Sequence, residues 1–341
     1  MQKFPVFFHP DQIFHKPSYE WRFGERIEHP ETTSRAESIL SAICSEPDLF
    51  EVCCPDVIPE YHLLKVHSSD LVTLYKTASQ LSGDENFYPS VFPPRNRTKV
   101  NPLDIRNAGY FCFDSGTPLT NTTYMASVWS ASCAFRLAQN IQQNKIQAGY
   151  ALCRPPGHHA SRSLFGGYCY FNNAAIAARY LSSYGKVAIL DIDFHHGNGT
   201  QRIFYENPAV LFVSLHGSPR EFYPYYEGYS SEMGYGTAEG YNINIELEGG
   251  TNYTLYKAIL ANQVIPVLHS FQPDYLIISA GFDTAEDDPV GTFQFGPQDY
   301  YDLGFNFSML PWPTLVIQEG GYNSDTLGFN VLCFLKGLIE A

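Results

Sequence analysis

Positive charge is scarce in this sequence: 21 Lys and Arg stand against 35 Asp and Glu, a formal net charge of −14. Such a chain repels a phosphate polyanion, and no Lys/Arg run offsets the deficit, so nucleic acid is not an expected partner. Long apolar runs are missing as well. No stretch approaches the ~18 residues that cross a bilayer, so no membrane partner is expected. Pro5, His9 and Pro10 interrupt the first apolar stretch, which therefore does not read as a signal peptide. The eight cysteines contain no C-x-x-C pair, and several sit inside apolar runs such as Phe111-Cys112-Phe113. Buried thiols in a reducing compartment account for this better than a disulfide framework. The expectation is a soluble, cytoplasmic protein.

Internal repeats, low-complexity tracts and an obvious linker are absent too, so residues 1–341 are read as one domain. With 44% hydrophobic and 15% aromatic residues among 341, the chain can bury a sizeable core. Residues 1–35 read as loop. Residues 83–122 are rich in Gly and Pro and read as a long irregular segment, which in a compact domain is usually functional.

Beyond residue 145 the pattern becomes regular. Apolar runs at Ala148–Cys153, Val187–Leu190, Val210–Leu215, Tyr275–Ser279 and Thr314–Ile317 have the continuous hydrophobicity of parallel strands covered on both faces. Thr254–Phe271 carries a helical apolar stripe. Strand and helix in alternation predict an α/β fold with a central parallel sheet flanked by helices. Sites in such sheets form beyond the carboxyl ends of the strands. Polar clusters follow all five runs directly, which directs them to one face.

Asp191-Ile192-Asp193-Phe194-His195-His196-Gly197-Asn198 follows the second run. Two carboxylates and two imidazoles so close together are costly to desolvate unless paired or bound to metal. In an extended strand residues 191, 193 and 195 share a side. Asp193 and His195 can therefore grip one metal, and a catalytic zinc needs three protein ligands and an open position. Asp283, at the end of another run, is either the third ligand or a helix N-cap. Arg154-Pro155-Pro156-Gly157-His158-His159 offers two imidazoles in a turn, suited to general base catalysis near neutral pH. Surface histidines or extra metal ligands are the alternatives. Asp191 and Asn198 are the nearest orienting partners. Glu319-Gly320-Gly321-Tyr322 is a tight turn that can present a tyrosine hydroxyl to an oxyanion.

These clusters, with Phe165-Gly166-Gly167-Tyr168-Cys169-Tyr170-Phe171-Asn172-Asn173 between them, occur in the order that resembles the zinc-dependent histone deacetylase superfamily. Within it the chain looks most like the bacterial acetylpolyamine amidohydrolases, over essentially its whole length. The resemblance implies an arginase/deacetylase-type α/β fold with long loops at the strand ends. It implies one catalytic Zn2+ held by Asp193, His195 and Asp283. His159 would be general base and then acid, His158 would assist electrostatically, and Asp191 and Asn198 would orient them. Tyr322 would polarise the acetyl carbonyl. It further implies structural K+, with an inner site at Asp191, Asp193, His195, Ser214 and Leu215. The outer site would use Phe204, Asn207, Val210 and Tyr241.

For the substrate, Gly167, Tyr168, Tyr223 and Val290 match the lining of the family's acyl-amine tunnel, and Glu20 matches an acidic residue at its narrowed entrance. Where a second acidic residue would be expected, near Asp104-Ile105-Arg106, this sequence has Arg106. Arg35 resembles a residue lining an acetate exit channel, with a surface salt bridge as its alternative. The implied activity is deacetylation of acetylpolyamines or similar small cationic amines, with a possible homodimer. The alternative is a peptide or protein acetyl-lysine deacetylase. A non-enzymatic acyl-ligand binding module would require loss of a ligand or of the tyrosine, and all are kept. An arginase-like binuclear site would need more bridging carboxylates than Asp193 and Asp283 supply.

Overall fold

A computed structural model describes residues 3–83, 85–94 and 100–340. The sheet strands, in chain order with the hairpin included, are β1 Phe4–Phe7, β2 Tyr19–Arg22, β3 Glu25–Glu28, β4 Phe50–Cys53, β5 Ala148–Ala151, β6 Val187–Asp191, β7 Val210–Gly217, β8 Asn242–Leu247, β9 Tyr275–Ala280 and β10 Thr314–Gln318. Eight of them form one sheet in the order β4-β1-β5-β10-β9-β6-β7-β8, and every neighbouring pair is parallel. β2 and β3 form a separate antiparallel hairpin.

The five central strands read from the apolar runs are present. The sheet is fully sandwiched, so consecutive residues feed opposite cores. In β6, Val187 and Ile189 pack into one core and Ala188 and Leu190 into the other. The first core is roofed by the helices Thr123–Gln142 and Asn173–Leu181, through residues such as Val128, Phe135 and Ile176. The second is roofed by Thr33–Cys44, Pro297–Ser308 and Ser324–Ile339, through Ile39, Leu303 and Leu335. Truncating one of these fully buried aliphatics would cost about 2–5 kcal/mol.

Three expectations are corrected. Residues 1–35 are not loop throughout: they supply β1, an inner strand of the sheet, and the hairpin. The helical stretch Thr254–Phe271 is two helices, Tyr253–Ile259 and Ile265–Phe271, joined by one π-helical turn, Leu260–Val264. That extra turn rotates the stripe, and Leu255, at its start, is exposed. The irregular segment 83–122 includes a short helical stretch at Ile105–Phe111, while residues 84 and 95–99 of it lie outside the described residues. Among the described residues, no helix is long and apolar enough to cross a membrane.

Candidate active site

The predicted loops after β5, β6, β9 and β10 meet beyond the carboxyl ends of the strands, where parallel α/β sheets build their sites. His216, read as following the third run, lies within β7 and bonds the Gly228 carbonyl, and that loop reaches the site through Tyr223. β6 ends at Asp191, so Asp193 and His195 do not share a strand face as extended spacing suggested. They sit in the following loop, which is stitched by its own carboxylates. Asp191 Oδ1 accepts the Asp193 N–H at 3.2 Å, and Asp193 Oδ1 accepts the His195 N–H at 2.8 Å. Asp193 Oδ2 also accepts the Gly320 N–H at 2.8 Å, linking the β6 loop to the β10 loop.

Asp193, His195 and Asp283 converge, with one ligand-capable atom from each within 4.8 Å of the others, all three buried. His195 Nδ1 lies 2.9 Å from Asp283 Oδ2 and 3.4 Å from Asp193 Oδ1. Asp283 is not a helix N-cap. Its Oδ1 accepts the Phe194 N–H at 3.0 Å, which leaves Oδ2 aimed at His195. Burial, joined by the charge of Asp193, pushes Asp283 up to about 7. Burial lowers His195, but its hydrogen bonds to Asp193 and Asp283 outweigh this and push it up to about 9. Two buried carboxylates around one imidazole nitrogen need a compensating cation, and the donor set fits a divalent metal.

Beside this group the two adjacent histidines are oriented differently. His158 Nδ1 lies 3.1 Å from Asp191 Oδ2, and its Nε2 lies 3.8 Å from Asp193 Oδ1. Burial lowers His158, but the charges of Asp193 and Asp191 together push it up to about 10. His159 Nδ1 lies 2.8 Å from the amide oxygen of Asn198. That oxygen only accepts, so the proton sits on Nδ1 and Nε2 keeps its lone pair. Burial, with the charges of His158 and His195, drives the His159 pKa well below its ordinary value. The two neighbours are thus pushed in opposite directions, His158 toward the charged form and His159 toward the neutral one. Both are buried rather than surface turn residues.

Tyr322 is set opposite by residues that the sequence did not single out. Asp288 Oδ2 accepts the Tyr322 and Asn323 N–H groups, and its Oδ1 accepts from Val290 and Gly291. Burial keeps the Tyr322 phenol well above its usual pKa, hence protonated. Arg35 is buried and is no surface salt bridge: its guanidinium stacks 4.8 Å from the Tyr322 ring centroid, pairs with Glu31 at 2.9 Å and bonds the carbonyls of Glu319 and Gly321. Arg154, also buried, pairs with Glu31 at 2.8 Å and bonds the carbonyls of Gln12, His15 and Thr32, stapling the N-terminal segment beneath the site. Glu319 Oε2 accepts the Gly157 and His158 N–H groups at 2.7 and 3.0 Å. His158, Cys169 and Glu319 also lie within 4.8 Å of one another. Burial raises the Cys169 thiol well above its ordinary pKa, and the backbone bonds of Glu319 account for its place there.

Two tyrosines flank these groups. Tyr223 meets His159 edge-on, ring centroids 5.0 Å apart, and Tyr168 meets Tyr322 edge-on at 5.8 Å. The Tyr168 hydroxyl donates to Glu20 Oε2 at 2.7 Å, bringing the buried Glu20 to the same wall. Burial raises the Glu20 pKa, against the Tyr168 hydrogen bond. Gly167, between them, has φ +56°, and a Cβ there would lie 2.2 Å from His159 Cδ2. Only glycine fits. Val290 is partly buried on the Asp288 loop. Arg106 is turned to solvent and salt-bridged to Asp104 at 2.8 Å.

Residues 29–338 match the histone deacetylase domain. This chain belongs to that family. As a member of the histone deacetylase family it is a hydrolase acting on amides. It is 39% identical over 318 residues to acetylpolyamine amidohydrolase 1 of Pseudomonas aeruginosa, covering 90% of each chain. It is 36% identical to the acetylpolyamine amidohydrolase of Mycoplana ramosa, covering 98% of this chain and 99% of that one. The family fold is equally close in solved structures. The acetylpolyamine aminohydrolase of Burkholderia pseudomallei superposes with a TM-score of 0.92 at 33% identity, covering 98% of both chains. The HDA15 HD domain gives 0.85 at 32% identity, covering 99% of this chain and 91% of that one.

Proposed function

We propose that this histone deacetylase family member is a zinc-dependent deacetylase of N-acetylated amines, acting on acetylpolyamines or similar small cationic substrates to give acetate and free amine. The observation that carries the reading is the unequal histidine pair beside three buried metal-ligand groups. His158 is paired with a carboxylate, Asp191, at 3.1 Å, and His159 with an amide oxygen, Asn198, at 2.8 Å.

Asp193, His195 and Asp283 would hold zinc, which supplies Lewis acidity to the carbonyl and to water when bound. His159 takes a proton from the attacking water on Nε2 and returns it to the departing amine. His158, held on Asp191, would assist electrostatically as negative charge develops. Tyr322 donates its hydroxyl to the oxyanion. Gly167, Tyr168, Tyr223 and Val290 would line the acyl-amine channel, where aromatic faces suit an aliphatic chain and attract its distal ammonium. The Glu20 carboxylate, held on Tyr168, would receive that ammonium.

Structural potassium belongs to the same proposal. What supports an inner site at Asp191, Asp193, His195, Ser214 and Leu215 is that Asp191 and Ser214 are register partners on β6 and β7. What supports an outer site is that the Phe204 and Asn207 carbonyls lie in the turn leading into Val210, with the Tyr241 carbonyl on the neighbouring segment accepting the Phe212 N–H. A homodimer, a cytoplasmic setting and a single domain over the whole chain complete the proposal.

The test is the steady-state rate of zinc-loaded protein on N-acetylputrescine, N-acetylcadaverine, N8-acetylspermidine and an acetyl-lysine peptide. A preference for the free acetylated amines is expected. A preference for the peptide reassigns the chain as a lysine deacetylase, and no turnover on any substrate overturns the reading.

A further inference from the structure

Gly167 and Tyr168 both adopt left-handed backbone, with φ of +56° and +64°. For tyrosine that conformation costs free energy and persists only where its surroundings hold it. The groups holding it come from one turn. Asp114 Oδ2 accepts the Gly167 N–H at 2.5 Å, and Thr117 Oγ1 accepts the next N–H, of Tyr168, at 3.0 Å. The same Oδ2 accepts the Tyr223 hydroxyl at 2.9 Å. Oδ1 is occupied by the N–H groups of Gly116 and Thr117, at 3.1 and 3.0 Å, which fixes the carboxylate in its own turn. A Cβ on Gly166 would lie 2.8 Å from Asp114 Oδ2, so the approach is close on that side too.

One carboxylate oxygen therefore joins two segments that lie 53 and 109 residues away from it in sequence. Each segment carries one aromatic wall of the site. A carboxylate accepting an N–H and a phenol together makes two charge-assisted bonds, stronger than neutral ones. Phenylalanine at 223 would keep the ring's packing on Phe113, centroids 6.1 Å apart and 22° from parallel, but would lose the tether.

We propose that Asp114 is a positioning residue that ties the Gly167–Tyr168 wall to Tyr223 through the Tyr223 hydroxyl, fixing the separation of the walls and so selecting slender acyl-amine chains over bulky ones. The selectivity half rests on the deacetylase reading; the tether itself does not.

Tyr223→Phe removes one oxygen and tests both halves. The first readout, taken without substrate, is hydrogen exchange at the Gly167 and Tyr168 amides. Coupled walls exchange roughly tenfold faster there in Tyr223→Phe than in wild type. Asp114→Asn keeps an acceptor for its own turn, presents an amide where Gly167 and Tyr223 need an acceptor, and should exceed that effect. The second readout is the ratio of kcat/KM for N-acetylputrescine to that for an acetyl-lysine tripeptide, which should fall about fivefold in Tyr223→Phe. Non-additivity in the double variant is expected, because both changes break one contact. Unchanged amide exchange overturns the tether. Equal losses on both substrates, leaving the ratio constant, overturn the selectivity role. A wild-type protein inactive on every substrate counts against the proposed function instead, while the exchange readout still decides the tether.

Discussion

Replacing Asn198 by aspartate would give His159 the carboxylate partner that His158 already has. The site holds its own control. His158 faces Asp191 at 3.1 Å and is pushed up to about 10, whereas His159 faces an amide oxygen at 2.8 Å and is held well below its ordinary value. A carboxylate at the Asn198 position favours the charged imidazole, and an opposite charge at such range moves a pKa by about 1–3 units. Each unit is about 1.4 kcal/mol, a tenfold change in the fraction of neutral base. The sign follows directly. His159 must be neutral to accept a proton, so activity appears as pH rises through its pKa. Raising that pKa moves the acid limb of the kcat/KM profile upward by about 1–3 units. Activity is depressed on the acid side of the profile and recovers, relative to wild type, as pH rises above the shifted limb. The assay is the pH–rate profile of zinc-loaded Asn198→Asp on N-acetylputrescine, with metal content measured alongside. An acid limb that does not move while zinc is retained would show that His159 is not the base.

The remaining predictions use other parts of the site. Tyr322→Phe should lower kcat by about 10²–10³ with little change in KM, read from steady-state kinetics. Asp283→Ala should lose bound metal as well as activity, checked by elemental analysis after dialysis against zinc. Glu20→Gln should raise KM for N-acetylputrescine but not for uncharged N-acetylbutylamine, by about tenfold if the carboxylate meets the distal ammonium. Glu319 is raised by burial to about 7 from its ordinary 4.5, so the folded state loses stability as pH rises from about 4.5, where the unfolded carboxyl ionises, to about 7. Glu319→Gln should match wild-type stability below pH 4.5 and exceed it at pH 8 by up to about 3 kcal/mol, seen as a pH-dependent gain in Tm.

Strands β5, β6, β7, β9 and β10 announced themselves because a strand covered on both faces needs apolar residues throughout, as Val187–Leu190 has. β1 and β4 did not. Each is four residues long, and β4, with Glu51 and Val52 exposed, lies at the sheet edge. The acidic and histidine-rich clusters were legible because desolvated charge has few innocent explanations. Asp114 and Asp288 were not. Each sits in a Gly- or Pro-containing turn, and an Asp there ordinarily caps its own backbone. Both do that, but they also hold Tyr223 and Tyr322, partners fixed only by the tertiary fold. The face shared by Asp193 and His195 was predicted from strand geometry. Their convergence comes instead from a loop bonded by its own carboxylates.

β10 lies in the middle of the sheet, between β5 and β9, although it is the last strand to be made. Until residues 314–318 leave the ribosome, the nascent chain can pair β4-β1-β5 on one side and β9-β6-β7-β8 on the other, each with an open inner edge. Such edges are templates for pairing with other chains, and parallel pairing across long sequence separations is slow. Biosynthesis of this protein should therefore pass through a late, chaperone-sensitive stage, which ends when a single strand closes the gap and delivers Glu319 and Tyr322 in the same motion.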